Sequence, residues 1–383
     1  MKKNFTPEIM NPASIRFASA EANFFSTLNQ RVNAYFKTNN ISRYANAEMK
    51  FKTFCMFSFY FVPYLALIFG VTSNPWVMFA LCVIMGFGIA GIGLSVMHDA
   101  NHGGYSNKSW VNNLLGFSLN LVGGNAFNWK VQHNVLHHTY TNVHDVDEDI
   151  SPRGVLRMCP HGEWKFFHRF QHFYAWFFYG LLTLVWVLFK DFVRLVRYQK
   201  DGMVKRQKAN IAAEWAILIA TKLVYIGYVV VLPSFLLPVT WWQVLIGFLT
   251  MHYISGFILA IIFQPAHVID GTEYPMPDEE GKMENSWAIH QLLTTTNFAN
   301  NNRILNWYVG GLNFQVEHHL FPNICHVHYR KIASIVKNTA EEFGLPYKSE
   351  PTFIGALISH AKLLKQLGEK PSPAILQPQP VTS

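Results

Sequence analysis

Residues 75–102 read PWVMFALCVIMGFGIAGIGLSVMHDANH, and this stretch decides the fold. Its first part, 75–96, is apolar and uncharged. A helix needs roughly 20 such residues to cross the hydrocarbon of a bilayer. The 28 residues of the whole stretch would make a helix about 40 Å long, roughly 10 Å more than the hydrocarbon requires. The surplus carries His98 and His102 clear of lipid. Residues 241–267 repeat the pattern: an apolar span over 241–263 and a surplus that ends on His267, with Pro265 as the one breaker in it.

Two more runs qualify as spans. Residues 54–72 precede the first stretch across Ser73 and Asn74, and residues 211–232 precede the second across the uncharged LPSFLLPVT. Half of the 383 residues are hydrophobic and 14% are charged, against about 25% charged in soluble domains. The net charge of +8 forms no nucleic-acid stripe. The basic residues gather in the N-terminal arm (Lys2 to Lys52) and in 190–210, and the two short turns carry none. Lys and Arg mark the cytoplasmic side, so two hairpins with cytoplasmic mouths satisfy the pattern. The N-terminus lacks the apolar core of a secretory signal. The four cysteines form no CxxC pair and are read as reduced.

A fifth run, 173–189, is shorter and closely flanked by charge. If the histidine clusters serve one site, the chain must cross the bilayer an even number of times between them. The run 173–189 is therefore expected to be an interfacial helix, and 111–127 is treated alike. The predicted fold is an all-α integral membrane protein. Four transmembrane helices form two hairpins under a cytoplasmic helical cap. Residues 1–53 make a cytoplasmic arm, 54–368 the membrane domain, and 369–383 a disordered Pro- and Gln-rich tail.

Eight histidines stand at the ends of these runs: His98 and His102 in HDANH, His133, His137 and His138 in HNVLHH, His318 and His319 in QVEHH, and His267. Neutral imidazole is the commonest side-chain metal ligand. A helix puts i and i+4 on one face, so His98 pairs with His102 and His133 with His137, while His138 lies about 100° round the turn. Eight imidazoles are too many for one ion, so two metals are expected, chosen from iron, copper, nickel or zinc. Asp99, Asp145, Asp147, Asp149 and Glu317 are candidates to accept a second imidazole N–H. Gln315 stands where a third histidine of its cluster could be. His252, inside a span, reads as a buried hydrogen-bonding group. The other histidines read as surface groups or as groups behind the ligands.

HDANH, HNVLHH and QVEHH resemble, in order and spacing, the three histidine boxes of the membrane fatty acid desaturases. The resemblance runs from about Phe54 to Tyr347. It implies that His98, His102, His133, His137, His138, His318 and His319 ligate two iron ions, with His267 as the ligand after the fourth span. A family asparagine that holds a water on one iron is replaced here by Phe263, with Gln264 as a substitute. The QxxHH form, with TTTNFA and WYVGGLNFQVEHHLFP, resembles the front-end branch. That branch inserts a double bond between an existing one and the carboxyl end. The HPGG of a fused cytochrome b5 domain is not found, so electrons are expected from a separate donor of ferredoxin or cytochrome b5 type with its reductase. The form resembles bacterial members, which implies a bacterial inner membrane.

An unactivated methylene has no acidic proton, so the expected chemistry is oxidation by dioxygen at iron. The substrate would be a fatty acyl chain on CoA or phospholipid. Two rivals remain. A hydroxylase or epoxygenase would use the same centre. A metal transporter would place histidines deep in the spans, where only His252 lies.

Overall fold

Asn46 starts the first long helix. In a computed structural model of the chain, which describes residues 12–19, 22–151 and 154–371, its side chain accepts the Met49 backbone N–H at 3.0 Å. That bond satisfies one of the orphan donors of a helix start. The helix runs Ala47–Ile68, so it begins and ends earlier than the expected 54–72. The cap lets it start in polar sequence, ahead of the apolar run. At the other end Gly70 takes a left-handed φ of 67°, which closes the helix before Val71 and Thr72. Lys2, Lys3 and the tail beyond residue 371 lie outside the described residues.

The second span covers Pro75–Asn101, with Asn74 as its cap and Pro75 in its first turn. It includes one π-helical turn, Ile92–Val96. The third span covers Ile211–Leu236 and the fourth Trp241–His267. The third continues past its expected end at 232, and the fourth runs on from its apolar part, 241–263, to His267 as expected. Pro265 sits in the last turn of the fourth span without ending it. These four helices are long and apolar enough to cross a membrane. The 173–189 run falls in a pair, Phe166–Gly180 and Leu182–Lys200, bent by 60°. The 111–127 stretch breaks into short helices, Ser109–Gly116, Ser118–Leu121 and Ala126–Trp129.

Small residues let the spans touch. A Cβ on Gly86 would lie 2.8 Å from the Met251 carbonyl oxygen of the fourth span, and one on Gly88 would lie 2.6 Å from the Tyr60 nitrogen of the first. The long segments before the first span, between the second and third, and after the fourth build the cap. There the amphipathic helix Ala22–Thr38 turns Phe24, Leu28, Val32 and Phe36 onto Ile332, Val336 and Ala340 of Tyr329–Glu342. Strand is confined, among the described residues, to a short parallel pairing of Asn297–Phe298 with Ser349–Glu350 and an isolated bridge between Arg16 and Lys282. The architecture is the expected all-α membrane class.

Candidate metal centre

The ends of two spans and two short cap helices converge on one buried point. His98 lies in the last turn of the second span, with His102 just after it. His267 is the final residue of the fourth span. His133 and His137 lie in the π-helix Lys130–His137, with His138 next. His318 and His319 lie in Gln315–Leu320. Seven of the eight are buried, and His102 is half-buried.

The π-helix changes which histidines face each other. The His138 N–H bonds the His133 carbonyl at 3.0 Å, an i to i+5 contact. His138 therefore stands over His133, with Nε2 atoms 3.2 Å apart. His133 and His137 stay side by side as their spacing predicts, with stacked rings 5.3 Å apart, and the wider turn brings His138 to His133 as well. His137 also lies beside His267 and His319, with ring centroids at 4.7 and 5.0 Å.

Two sets result. The ligand atoms of His98, His102, His133 and His318 lie within 4.8 Å of one another, as do those of His137, His267 and His319. His138 forms a third such group with His318 and His319, and so stands between the two. Its Nε2 lies 2.9 Å from His318 Nε2, and His98 Nε2 lies 3.1 Å from His133 Nε2.

The rear nitrogens are held from behind. His137 Nδ1 meets Asp147 at 3.0 Å and Asp149 at 3.5 Å. His267 Nδ1 donates to the Thr294 carbonyl at 3.2 Å, and His319 Nδ1 to Gln291 Oε1 at 2.9 Å. His318 Nδ1 meets the Tyr329 hydroxyl at 3.3 Å. Such bonds fix tautomer and ring orientation and leave Nε2 free for a metal. Burial first, then neighbouring histidines, pushes His102, His133, His138, His318 and His319 well below the usual imidazole pKa, so they are neutral. Burial works the same way on His137, but Asp147 and then Asp149 outweigh it and raise its pKa.

The donor set fits a metal. His102, His267 and His319 each bury an Nε2 with no partner among the described residues. His138 Nε2 faces two other Nε2 atoms, and one ring hydrogen cannot satisfy both. A cation accepts all these lone pairs at once.

The remaining candidates separate clearly. Gln315 is buried one turn ahead of His318 and His319, its Nε2 without a partner among the described residues. Asp99 bonds His326 at 2.8 Å rather than a box imidazole. Glu317 accepts from Asn297 and Tyr347 at 2.9 and 2.8 Å, and burial pushes it up to about 7. Asp145 is half-exposed and pairs with His144 at 3.4 Å. Gln264 donates to the Asp149 carbonyl at 3.3 Å. Phe263 presents an apolar ring about 6 Å from His98 and His133. Gln291, Thr294 and Tyr329 were not singled out from the sequence. No local spacing marks them, because each reaches the centre from a distant segment. His252 bonds Tyr225 at 2.7 Å and Thr183 at 3.1 Å, away from the centre.

Residues 74–351 match the family described as fatty acid desaturase. The chain is 36% identical over 348 residues to the sn-1 linoleoyl-lipid 6-desaturase of Arthrospira platensis, covering 91% of this chain and 93% of that protein. It is 38% identical to the protein of the same name in Synechocystis sp., covering 90% and 96%. It is also 38% identical to the acyl-lipid (8-3)-desaturase of Physcomitrium patens, covering 93% of this chain and 74% of that one. Clustered histidines, four apolar spans and sequence likeness agree: the chain is an integral membrane protein of the fatty acid desaturase family.

Proposed function

We propose that the eight histidines hold two iron ions and that the enzyme is of the front-end type, acting on lipid-linked acyl chains. The observation that carries the metal reading is the convergence of imidazole nitrogens in two sets, with the buried Nε2 atoms of His102, His267 and His319 lacking a partner among the described residues. His98, His102, His133 and His318 would hold one ion, His137, His267 and His319 the other, with His138 between them. Gln315 would face the same space. The irons would supply, with dioxygen and two electrons, the oxidising power to take two hydrogens from adjacent methylenes, leaving a cis double bond and two waters once two protons are added.

The chain's own residues orient and shield. Asp147, Gln291, Tyr329 and the Thr294 carbonyl keep the ligand nitrogens aimed inward. Met97, Trp129, Trp186 and Phe263 line a small apolar cavity beside His98 that would exclude water. Along the second span, Gly93 and Ile89 lead from it toward a larger cavity of about 390 Å³ bounded by Met78, Met85, Phe248 and Met251. This apolar route suits the methyl end of an acyl chain. The named substrates of the relatives favour a glycerolipid carrier over CoA, and QVEHH favours the front-end position.

Electrons would come from a separate ferredoxin or cytochrome b5 type protein with its reductase. We place the histidines and both termini on the cytoplasmic side of a bacterial inner membrane. The basic residues in the N-terminal arm and in 190–210 support the orientation, and the resemblance of the motifs supports the membrane. Expression in a host of known lipid content, fed monoenoic and dienoic acids, tests the function by gas chromatography–mass spectrometry. A new double bond on the carboxyl side of an existing one is expected. A hydroxy product with no new alkene would instead establish the hydroxylase.

A further inference from the structure

Lys52 lies in the polar first turns of the first long helix, ahead of its apolar run, yet it is almost wholly buried. An ionisable side chain buried in this way is costly unless paired and points to a role. Its Nζ donates to His326 Nε2 at 2.6 Å. His326 Nδ1–H donates in turn to Asp99 Oδ2 at 2.8 Å, and the His326 backbone N–H reaches the same oxygen at 3.1 Å. The imidazole therefore stands as the Nδ1–H tautomer, with an ammonium at one end and a carboxylate at the other. The three residues come from the start of the first span, the HDANH box and the stretch after QVEHH. Asp99, Cys325 and His326 also bring potential ligand atoms together. Lys52, however, occupies the open nitrogen of His326, so the group is a chain of charges and not a further metal site.

Asp99 directly follows His98 in the chain and sits three residues before His102. A fixed charge this close acts with little screening in a buried site. A carboxylate beside a metal favours its higher oxidation state, and a neighbouring ammonium offsets that effect. We propose that Lys52, acting through His326 and Asp99, sets the reduction potential of the metal at the first histidine box. The inference rests on the metal reading above, and it makes Lys52 and His326 positioning residues.

The test uses the full chain, purified in detergent and loaded with iron. A potentiometric titration followed by absorbance compares the unmodified protein with Lys52→Met, Lys52→Arg and Asp99→Asn, with iron per chain and thermal midpoint measured in parallel. Lys52→Met is expected to lower the potential and Asp99→Asn to raise it, while Lys52→Arg stays with the unmodified protein. A purely structural role would move both charge-removing variants together, through lost iron or stability. Shifts of the same sign, or none, in iron-loaded variants would overturn the inference and leave the functional reading standing. If Lys52→Met does not fold, the other two decide: Asp99→Asn must still raise the potential and Lys52→Arg leave it, and any other result overturns the proposal. An unmodified protein that takes up no redox-active metal would bring down the functional reading, and this inference with it.

Discussion

Asp147 carries more of the centre than its place in an acidic loop suggests. In HDVDEDI it looks no different from Asp145. The structure separates them through the backbone. Asp147 accepts the N–H groups of Asn142 and Asp149 at 2.9 and 3.0 Å, which folds the loop around its carboxylate and aims it at His137. Asp145 points outward to His144. Asp147→Ala is therefore expected to lower iron per chain or product formation by about 10- to 100-fold, the usual cost of removing a group that orients a ligand. Asp145→Ala should leave both near the unmodified level. Metal analysis and lipid profiling of the two variants check this, and equal losses would contradict the assignment. The box histidines were legible because their spacing is local. Asp147 was legible only as one acid among several, and Gln291 and Tyr329 not at all, since tertiary packing alone brings them to the imidazoles.

At the level of elements, the π-turn in HNVLHH and the glycines of the second span show what pattern reading misses. Periodicity alone assigns α-helical spacing, and only the hydrogen bond from His138 to His133 reveals the wider turn. Span ends depend on caps such as Asn46 and stops such as Gly70, which apolar counting passes over. Gly88 packs against backbone that cannot move aside: an added methyl would meet the Tyr60 nitrogen at 2.6 Å. Gly88→Ala should cost about 1–3 kcal/mol, the usual penalty of overpacking, and lower the thermal midpoint in detergent. Gly227→Ala in the third span is the matched control, because nothing lies within 4 Å of its added methyl. Helix propensity favours that change by up to about 1 kcal/mol. A midpoint unchanged by Gly88→Ala would refute the close contact between the first two spans.

For the whole molecule, the two hairpins make a statement about sides. Single cysteines introduced at residues 73 and 238 should be labelled from one face of the membrane, and those at residues 40 and 202 from the other. Labelling of 73 and 202 from the same face would break the parity that brings the histidines together. The cap also predicts acid sensitivity. His290 donates to the Thr141 carbonyl, and His360 is held between Tyr179 and the Val268 carbonyl. Burial lowers each from 6.5 to about 4. Both folded values lie below the unfolded one, so the unfolded chain takes up protons first as pH falls. The stabilisation is whole above 6.5 and is lost as pH drops from there through about 4. Each group contributes about 1.4 kcal/mol per pH unit in that window. Thermal midpoints across pH 7.5 to 4 should fall most steeply in this range, and less so in His290→Gln if its packing is kept.

The sequence by itself determined the membrane class, the four apolar runs, the histidine boxes and the family. Each of these depends on composition or on spacing along a few turns, which the chain carries locally. The exact span ends, the partner of each histidine and the groups behind them were decided by tertiary structure. Caps, a π-turn and contacts between residues from 10 to 180 positions apart set those features, and their energies exist only once the cap has folded over the ends of the spans.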